Sequence, residues 1–277
     1  MIFEPIVPLT RGLRYEVLLD NNLISEIEVP KSESSPPDLI AIYPSQDTVP
    51  ENLLKMYFLF SQPMVEGHAL SFITIMRGSD TLKGTFLDLQ PELWNRDGTM
   101  LTLWLDPGRI KRDLIPNQEM GTPLKAGEKY TLAISALWKS KEGVPLTSDY
   151  SKTFIAFSRD EHMPTIDQWS MSFPSAGSTQ PLKINLEEAM DYSVLLESIE
   201  IIRAGKNSIG GTIQLTDEEK TLLFTPTEIW KSGEYEIRIE SRLEDLSGNN
   251  LNRPFDRDIT KGEKTDQKFF SKPFTIR

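Results

Sequence analysis

The sequence predicts an all-β protein built from antiparallel sandwiches, and three observations carry that prediction. Candidate strands of about 5 to 8 residues alternate apolar and polar positions, turns rich in Gly, Pro, Asn and Asp separate them, and no long amphipathic helix interrupts them. A composite pattern also repeats along the chain. An apolar residue, any residue and Pro are followed by a Gly and then by a Tyr that opens an alternating strand.

The first copy runs from Phe3-Glu4-Pro5 through Gly12 to Tyr15, the second from Leu105-Asp106-Pro107 through Gly127 to Tyr130, and the third from Phe224-Thr225-Pro226 through Gly233 to Tyr235. The third strand shows the physics most plainly. Tyr235, Ile237 and Ile239 alternate with Glu234, Glu236, Arg238 and Glu240, which reads as a half-buried antiparallel strand. The proline ends the preceding strand because it cannot donate to a ladder, and glycine suits a turn that needs positive φ. Downstream, Asp245-Leu246-Ser247-Gly248-Asn249 reads as a turn held by side-chain hydrogen bonds from Asp and Asn.

A second shared block lies upstream of the later two copies. Residues 37–67 parallel 164–194, with Phe60-Ser61-Gln62-Pro63-Met64 matching Leu186-Glu187-Glu188-Ala189-Met190. Residues 82–89 then match 209–216, 100–107 match 220–226, and each copy closes on a short aromatic strand, SKTFIAFS or SKPFTIR. Two duplicated domains are expected, over 37–160 and 161–277. Residues 1–36 hold only the Pro–Gly–Tyr half of the pattern and are expected to form a partial domain, a hairpin plus the linker KSESSPP at 31–37. On that reading the chain is part of a longer array. Two stretches have helical-turn character, PENLLKMY, expected to lead directly into a strand, and LEEAMDYSVLLESI, expected to be a loop with one helical turn before a strand at Ser198–Ile202.

These residues support a resemblance. The F-S-Q-P-M strand after a Y-P-S opening, the later Pro–Gly–Tyr run and the turn L-E-D-L-S-G-N resemble bacterial Ig-like domains of the S-layer SbsA type over most of 37–277. The second copy departs from the pattern at Ala189, which stands where the family has proline, and the first departs at Lys141-Glu142-Gly143, where the turn is eroded. The resemblance implies tandem immunoglobulin-like sandwiches without catalytic activity. It also implies a structural or interaction module of a bacterial envelope or extracellular protein, located in the envelope, the periplasm or outside the cell, with a protein or glycan partner at the cell surface. Fold alone does not fix such a role.

Composition narrows the alternatives. Of 277 residues, 30 are Lys or Arg and 41 Asp or Glu, a net charge of −11 that argues against nucleic acid, whose binders need a cationic surface. Cysteine is absent, which excludes disulfides and thiol nucleophiles. No apolar run approaches the roughly 18 residues of a membrane helix, so direct membrane insertion is not expected, and no basic-then-apolar secretory leader opens the chain, which fits a cytoplasmic protein, a removed signal or a start inside a larger protein. No nucleophile elbow, P-loop or dinucleotide fingerprint is present, and neither His68 nor His162 stands in a metal-binding spacing. No cofactor, metal or catalytic residue is therefore expected. Asp245, Asn249 and Asn250, or Asp20, Asn21 and Asn22, offer calcium-type oxygens without the spacing of a dedicated loop, so turn chemistry is the better account of them.

One segment breaks the repeat. The step from Pro107 to Tyr130 is about 13 residues longer than those from Pro5 to Tyr15 and Pro226 to Tyr235, an insertion over 108–121. It places Arg109, Lys111 and Arg112 together among Ile110, Leu114 and Ile115, as either a docking loop for an anionic partner or an apolar patch whose cations pair with local acids. Trp104 lies on the Met100/Thr102 face of its strand, opposite the Leu101–Leu103–Leu105 stripe expected in the core, and could stack on a sugar or on a neighbouring domain. Arg109, Lys111, Arg112 and Trp104 are thus the candidate binding residues for a ligand-binding alternative. Trp94, Trp138, Trp169 and Trp230 are expected to cap cores near strand ends.

Overall fold

A computed structural model describes residues 4–6, 9, 12–30, 34–205, 208–257 and 267–277. Phe3 and residues 31–33 of the expected linker lie outside them. The hairpin β1 (Arg14–Leu19) and β2 (Asn22–Glu28) comes first, turning through Asp20 and Asn21 at φ 50° and 63°, a positive-φ pair that suits a two-residue hairpin loop. There follow β3 (Leu39–Tyr43), β4 (Thr48–Pro50), β5 (Lys55–Phe60), β6 (Ile73–Arg77), β7 (Asp80–Thr81), β8 (Leu93–Trp94) and β9 (Met100–Trp104). Helices α1 (Pro107–Ile110) and α2 (Ile115–Met120) then lead to β10 (Lys129–Ile134) and β11 (Tyr150–Phe157). The last part holds β12 (Ser170–Ser172), β13 (Leu182–Asn185), α3 (Tyr192–Ser198), β14 (Ile199–Arg203), β15 (Gly211–Thr216), β16 (Thr221–Pro226), β17 (Gly233–Glu240) and β18 (Phe269–Ile276).

Two sandwiches result, alike in their central strands, although the first adds β7 at one edge and β4, paired parallel to β11, at the other. In the first, the sheet β3-β5-β9-β8 faces β4-β11-β10-β6-β7; in the second, β12-β13-β16-β15 faces β14-β17-β18. Each encloses its own apolar core. Phe58, Leu101 and Leu103 meet Leu132, Ile75 and Phe154 in one, and Ile184, Leu222 and Phe224 meet Ile237, Ile201 and Phe274 in the other. Trp138 and Trp230 are fully enclosed and donate their indole N–H to Val65 O (3.0 Å) and Gln180 O (2.8 Å), which removes the cost of burying an unpaired donor.

The internal repeat survives in register as well as order. Tyr15 stands opposite Ile27, Tyr130 opposite Phe154 and Tyr235 opposite Phe274. Phe86 bridges Leu105 as Ile213 pairs with Phe224. Met64 and Met190, the ends of the matched five-residue motifs, are both buried and bridge Ser140 and Asp245 in the corresponding turns. The equivalence of these bridges gives the sequence match a physical basis, because each methionine plugs the same end of its sandwich.

Two expectations need correction. The insertion is not plain loop: Asp106 caps α1 by accepting from Gly108 N (2.8 Å), and Pro116 sits in the first turn of α2, where its missing N–H costs nothing. Helices of 4 and 6 residues are too short to print an amphipathic period. The stretch before β14 is a seven-residue helix, α3, rather than a loop with one turn, and the strand begins at Ile199.

The repeated tyrosine closes the turn that precedes its strand. Tyr130 Oη accepts from Lys125 N (2.8 Å), and Tyr235 Oη donates to Lys231 O (2.8 Å). Tyr130→Phe and Tyr235→Phe should each lower stability by about 1 kcal/mol while leaving far-ultraviolet dichroism unchanged, as checked by urea denaturation. Equal midpoints for wild type and both variants would show that the hydroxyls contribute nothing.

Candidate functional site: the seam between the sandwiches

The residues with the least ordinary surroundings lie where the second sandwich meets the first. Lys55 opens β5 in the central part of its sheet, yet its ammonium is almost entirely buried. It is held by Asp191 (3.2 Å) and by Glu244, while one face of the Trp104 ring lies 5.0 Å from Nζ. Burial pulls the Lys55 ammonium down, but the carboxylates of Asp191 and Glu244 more than reverse this and hold it above its ordinary value. Burial raises the Glu244 carboxyl, and Lys55 only partly offsets that.

Asp191 does three jobs at once. It caps α3 by accepting from Val194 N (3.0 Å), pairs with Lys55 and accepts the Tyr57 hydroxyl at 2.6 and 2.8 Å. Burial first, and the neighbouring Asp191 charge second, drive the Tyr57 phenol far above its usual range, so it stays a donor. The helix that Asp191 starts carries Tyr192, whose ring stacks on Tyr43 of the first sandwich with centroids 3.6 Å apart and planes 10° off parallel. Beside them Ser45 N donates to Glu219 (2.8 Å).

The turn 245–249 forms the other half of the seam. Asp245 Oδ1 accepts from Ser247 N (2.7 Å) and Asn249 N (3.0 Å), the side-chain-held turn expected from the sequence. Its outer surface is not solvated. Leu246 joins the first core and its carbonyl accepts from Leu54 N (2.9 Å), Ser247 Oγ meets Asn52 Oδ1 (3.2 Å), and Asn249 Nδ2 donates to Asp160 O (3.2 Å). Gly248 has φ 80° and lies so close to Leu54 that a Cβ would come within 2.4 Å of Leu54 Cδ2. Only glycine fits there, for conformation and for space.

Three carboxylates converge beside this turn. Asp160, which follows β11, and Glu188 and Asp245 each bring one oxygen within 4.8 Å of the others. Burial, then Asp160, push Glu188 up to about 7, with His162 opposing. Burial pushes Asp245 up to about 8 against the hydrogen bonds from Asn249 and Ser247. Of the calcium-type oxygens weighed from the sequence, Asn249 Oδ1 accepts from Phe255 N, and Asn250 Oδ1 from Asn252 N and Arg253 N.

The four candidate binding residues are scattered over this region rather than gathered into a recess. Arg109 is buried and gives its guanidinium to the carbonyls of Gly84 (2.6 Å), Gly121 (3.0 Å) and Thr122 (3.1 Å), stitching the insertion to its base. Lys111 lies 4.4 Å over the Phe255 ring, and Arg112 pairs with Asp256 and Glu161, so both reach residues beyond the first sandwich. Trp104 is half-buried beneath Lys55. Sequence reasoning missed Lys55, Tyr57, Asp191 and Glu244, since each reads as an ordinary polar position of a strand, cap or turn.

The raised carboxyls fix a pH dependence. Folding lifts Glu188 and Asp245 above their unfolded values, so the folded chain holds extra protons between about pH 4 and pH 8, and stability falls as pH rises through that window. Glu188→Gln should flatten the decline in melting temperature between pH 5 and pH 8. A variant with the wild-type slope would show that Glu188 does not titrate with folding.

No curated protein matches the chain. Among solved structures it is similar to native α2-macroglobulin from Escherichia coli spanning domains MG0-NIE-MG1, at 12% identity over 87% of this chain and 71% of that one, with TM-score 0.29. It is similar to the N-terminal part of the bacterial S-layer protein SbsC, at 13% identity over 73% and 40%, TM-score 0.31, so it spans less than half of that segment. A third is the N-terminal Ig1-2 module of the Drosophila receptor protein tyrosine phosphatase DLAR, at 13% identity over 76% and 93%, TM-score 0.25. The segment that carries Glu188, Asp191, Glu244 and Asp245, residues 160–261, matches the sequence model of a bacterial Ig-like domain.

Proposed function

We propose that the chain is a non-enzymatic structural module in which two immunoglobulin-like sandwiches, 37–160 and 161–277, of the kind found in S-layer proteins of the SbsA type, act as one stiff spacer of a bacterial cell-envelope or extracellular protein. The observation that carries this reading is the buried polar seam. A flexible tandem would leave Lys55, Tyr57, Asp191 and Glu244 in water, whereas here the first three are buried, Glu244 is half-buried, and they satisfy one another across the joint. The bacterial Ig-like match over 160–261 supports the envelope or extracellular setting. The cations of the insertion support the structural role too, since Arg109 braces the insertion and Arg112 ties it to Asp256.

Absence of cysteine makes the stiffness directly measurable with engineered spin labels. Lys129→Cys and Ser271→Cys place one label on an exposed site of each sandwich. Pulsed electron resonance should return one narrow distance distribution. A broad distribution in the otherwise wild-type chain would mean that the sandwiches move independently, and would overturn the spacer reading.

A further inference from the structure

We infer that Asp160, Glu188 and Asp245 form a proton latch on the joint: while the cluster holds protons the sandwiches stay docked, and when it ionises the second sandwich swings free of the first with both cores still folded. This adds regulation to the stiff spacer proposed above and rests on that reading.

The cluster is built from both sides of the joint. Asp160 is clamped to the first sandwich by Asn52, whose Oδ1 accepts from Asp160 N (3.0 Å) and whose Nδ2 donates to Asp160 O (2.7 Å). Glu188 and Asp245 come from the second sandwich, and each of the three residues brings one oxygen within 4.8 Å of the others. The residue that follows each of these two acids enters the first core. Among the described residues, Ala189 and Leu246 are the buried apolar side chains of the second sandwich that belong to the core of the first. Repulsion within the cluster therefore acts at the points of docking themselves.

Little positive charge offsets that repulsion. Among the described residues the one cationic partner of the cluster is His162, whose Nδ1 lies 3.4 Å from Asp160 Oδ1 and whose side chain is 94% exposed. The nearby cations are committed elsewhere, Arg159 to Asp256 (2.7 Å) and Glu161 (3.3 Å), and Lys55 to Asp191 and Glu244. On its open side Glu188 lines a recess with Glu161, His162, Asp167 and Glu187, which adds three acids to the groups that face it and gives solvent protons a way in. Like charges crowded into a half-buried site keep a proton between them.

The sign of the effect follows from linkage. Opening the joint returns Glu188 and Asp245 to water, where their raised carboxyls fall back toward ordinary values of about 4. The docked state thus binds more protons than the open one, and docking weakens as pH rises from about 4 to about 8.

Pulsed electron resonance on the chain carrying Lys129→Cys and Ser271→Cys, read at pH 6 and pH 9 with far-ultraviolet dichroism alongside, tests the latch. The narrow distance component at pH 6 should give way to a broad one at pH 9, the ratio of docked to open chains falling about tenfold or more while the dichroism stays unchanged. Glu188→Gln keeps the shape and cannot ionise, so it should retain more of the narrow component at pH 9 than the wild type. A narrow distribution at both pH values overturns the latch and leaves the spacer reading standing, whereas a broad one at both overturns the two together. Loss of dichroism at pH 9, or a Glu188→Gln chain that responds as the wild type does, also overturns the latch.

Discussion

A buried ammonium between two carboxylates sets the terms for the rest of this molecule. Lys55 belongs to the first sandwich and Asp191 and Glu244 to the second, so the charge balance closes only when the two sandwiches are joined. Taking either side away would strand charge in a low-dielectric setting, and breaking a buried pair of this kind costs about 3–5 kcal/mol. The neighbouring contacts build on that constraint. Asp191 starts α3, α3 presents Tyr192 to Tyr43, and the turn at 245–249 carries Leu246 into the first core.

The seam also explains a sequence feature that fold alone does not. The turn Asp245-Leu246-Ser247-Gly248-Asn249 and its eroded counterpart at Lys141-Glu142-Gly143 occupy equivalent places, each bridged from a buried methionine. The second turn is buried against Leu54 and Asn52, and its polar atoms are spent on the joint. The first is exposed at Lys141 and Glu142, and Lys141 pairs with Glu66 of its own sandwich. Sequence identity at the turn therefore tracks what the turn packs against.

Much of the fold was legible because it is local. Alternation in Tyr235, Ile237 and Ile239, the Pro–Gly–Tyr spacing and the Asp–Gly–Asn turn each act within a few residues, and their repetition exposed two sandwiches of the same order. The site was not legible in the same way. Lys55 lies 136 positions from Asp191 and 189 from Glu244, and a lysine at a strand start or an aspartate before a helix reads as surface chemistry. The short helices α1 and α2 escaped because a helix of one or two turns has no period to detect. Trp104 was placed on the correct face of β9, but its neighbour is Lys55 of the adjacent strand, a pairing that only register reveals.

The central claim is that the seam couples the sandwiches into one cooperative unit, and calorimetry of the full chain tests it most directly. Wild type should unfold in a single transition, and Lys55→Met should split it into two by uncoupling the sandwiches while leaving each core intact. Two separate transitions in wild type, or a Lys55→Met profile that overlays it, would contradict the account.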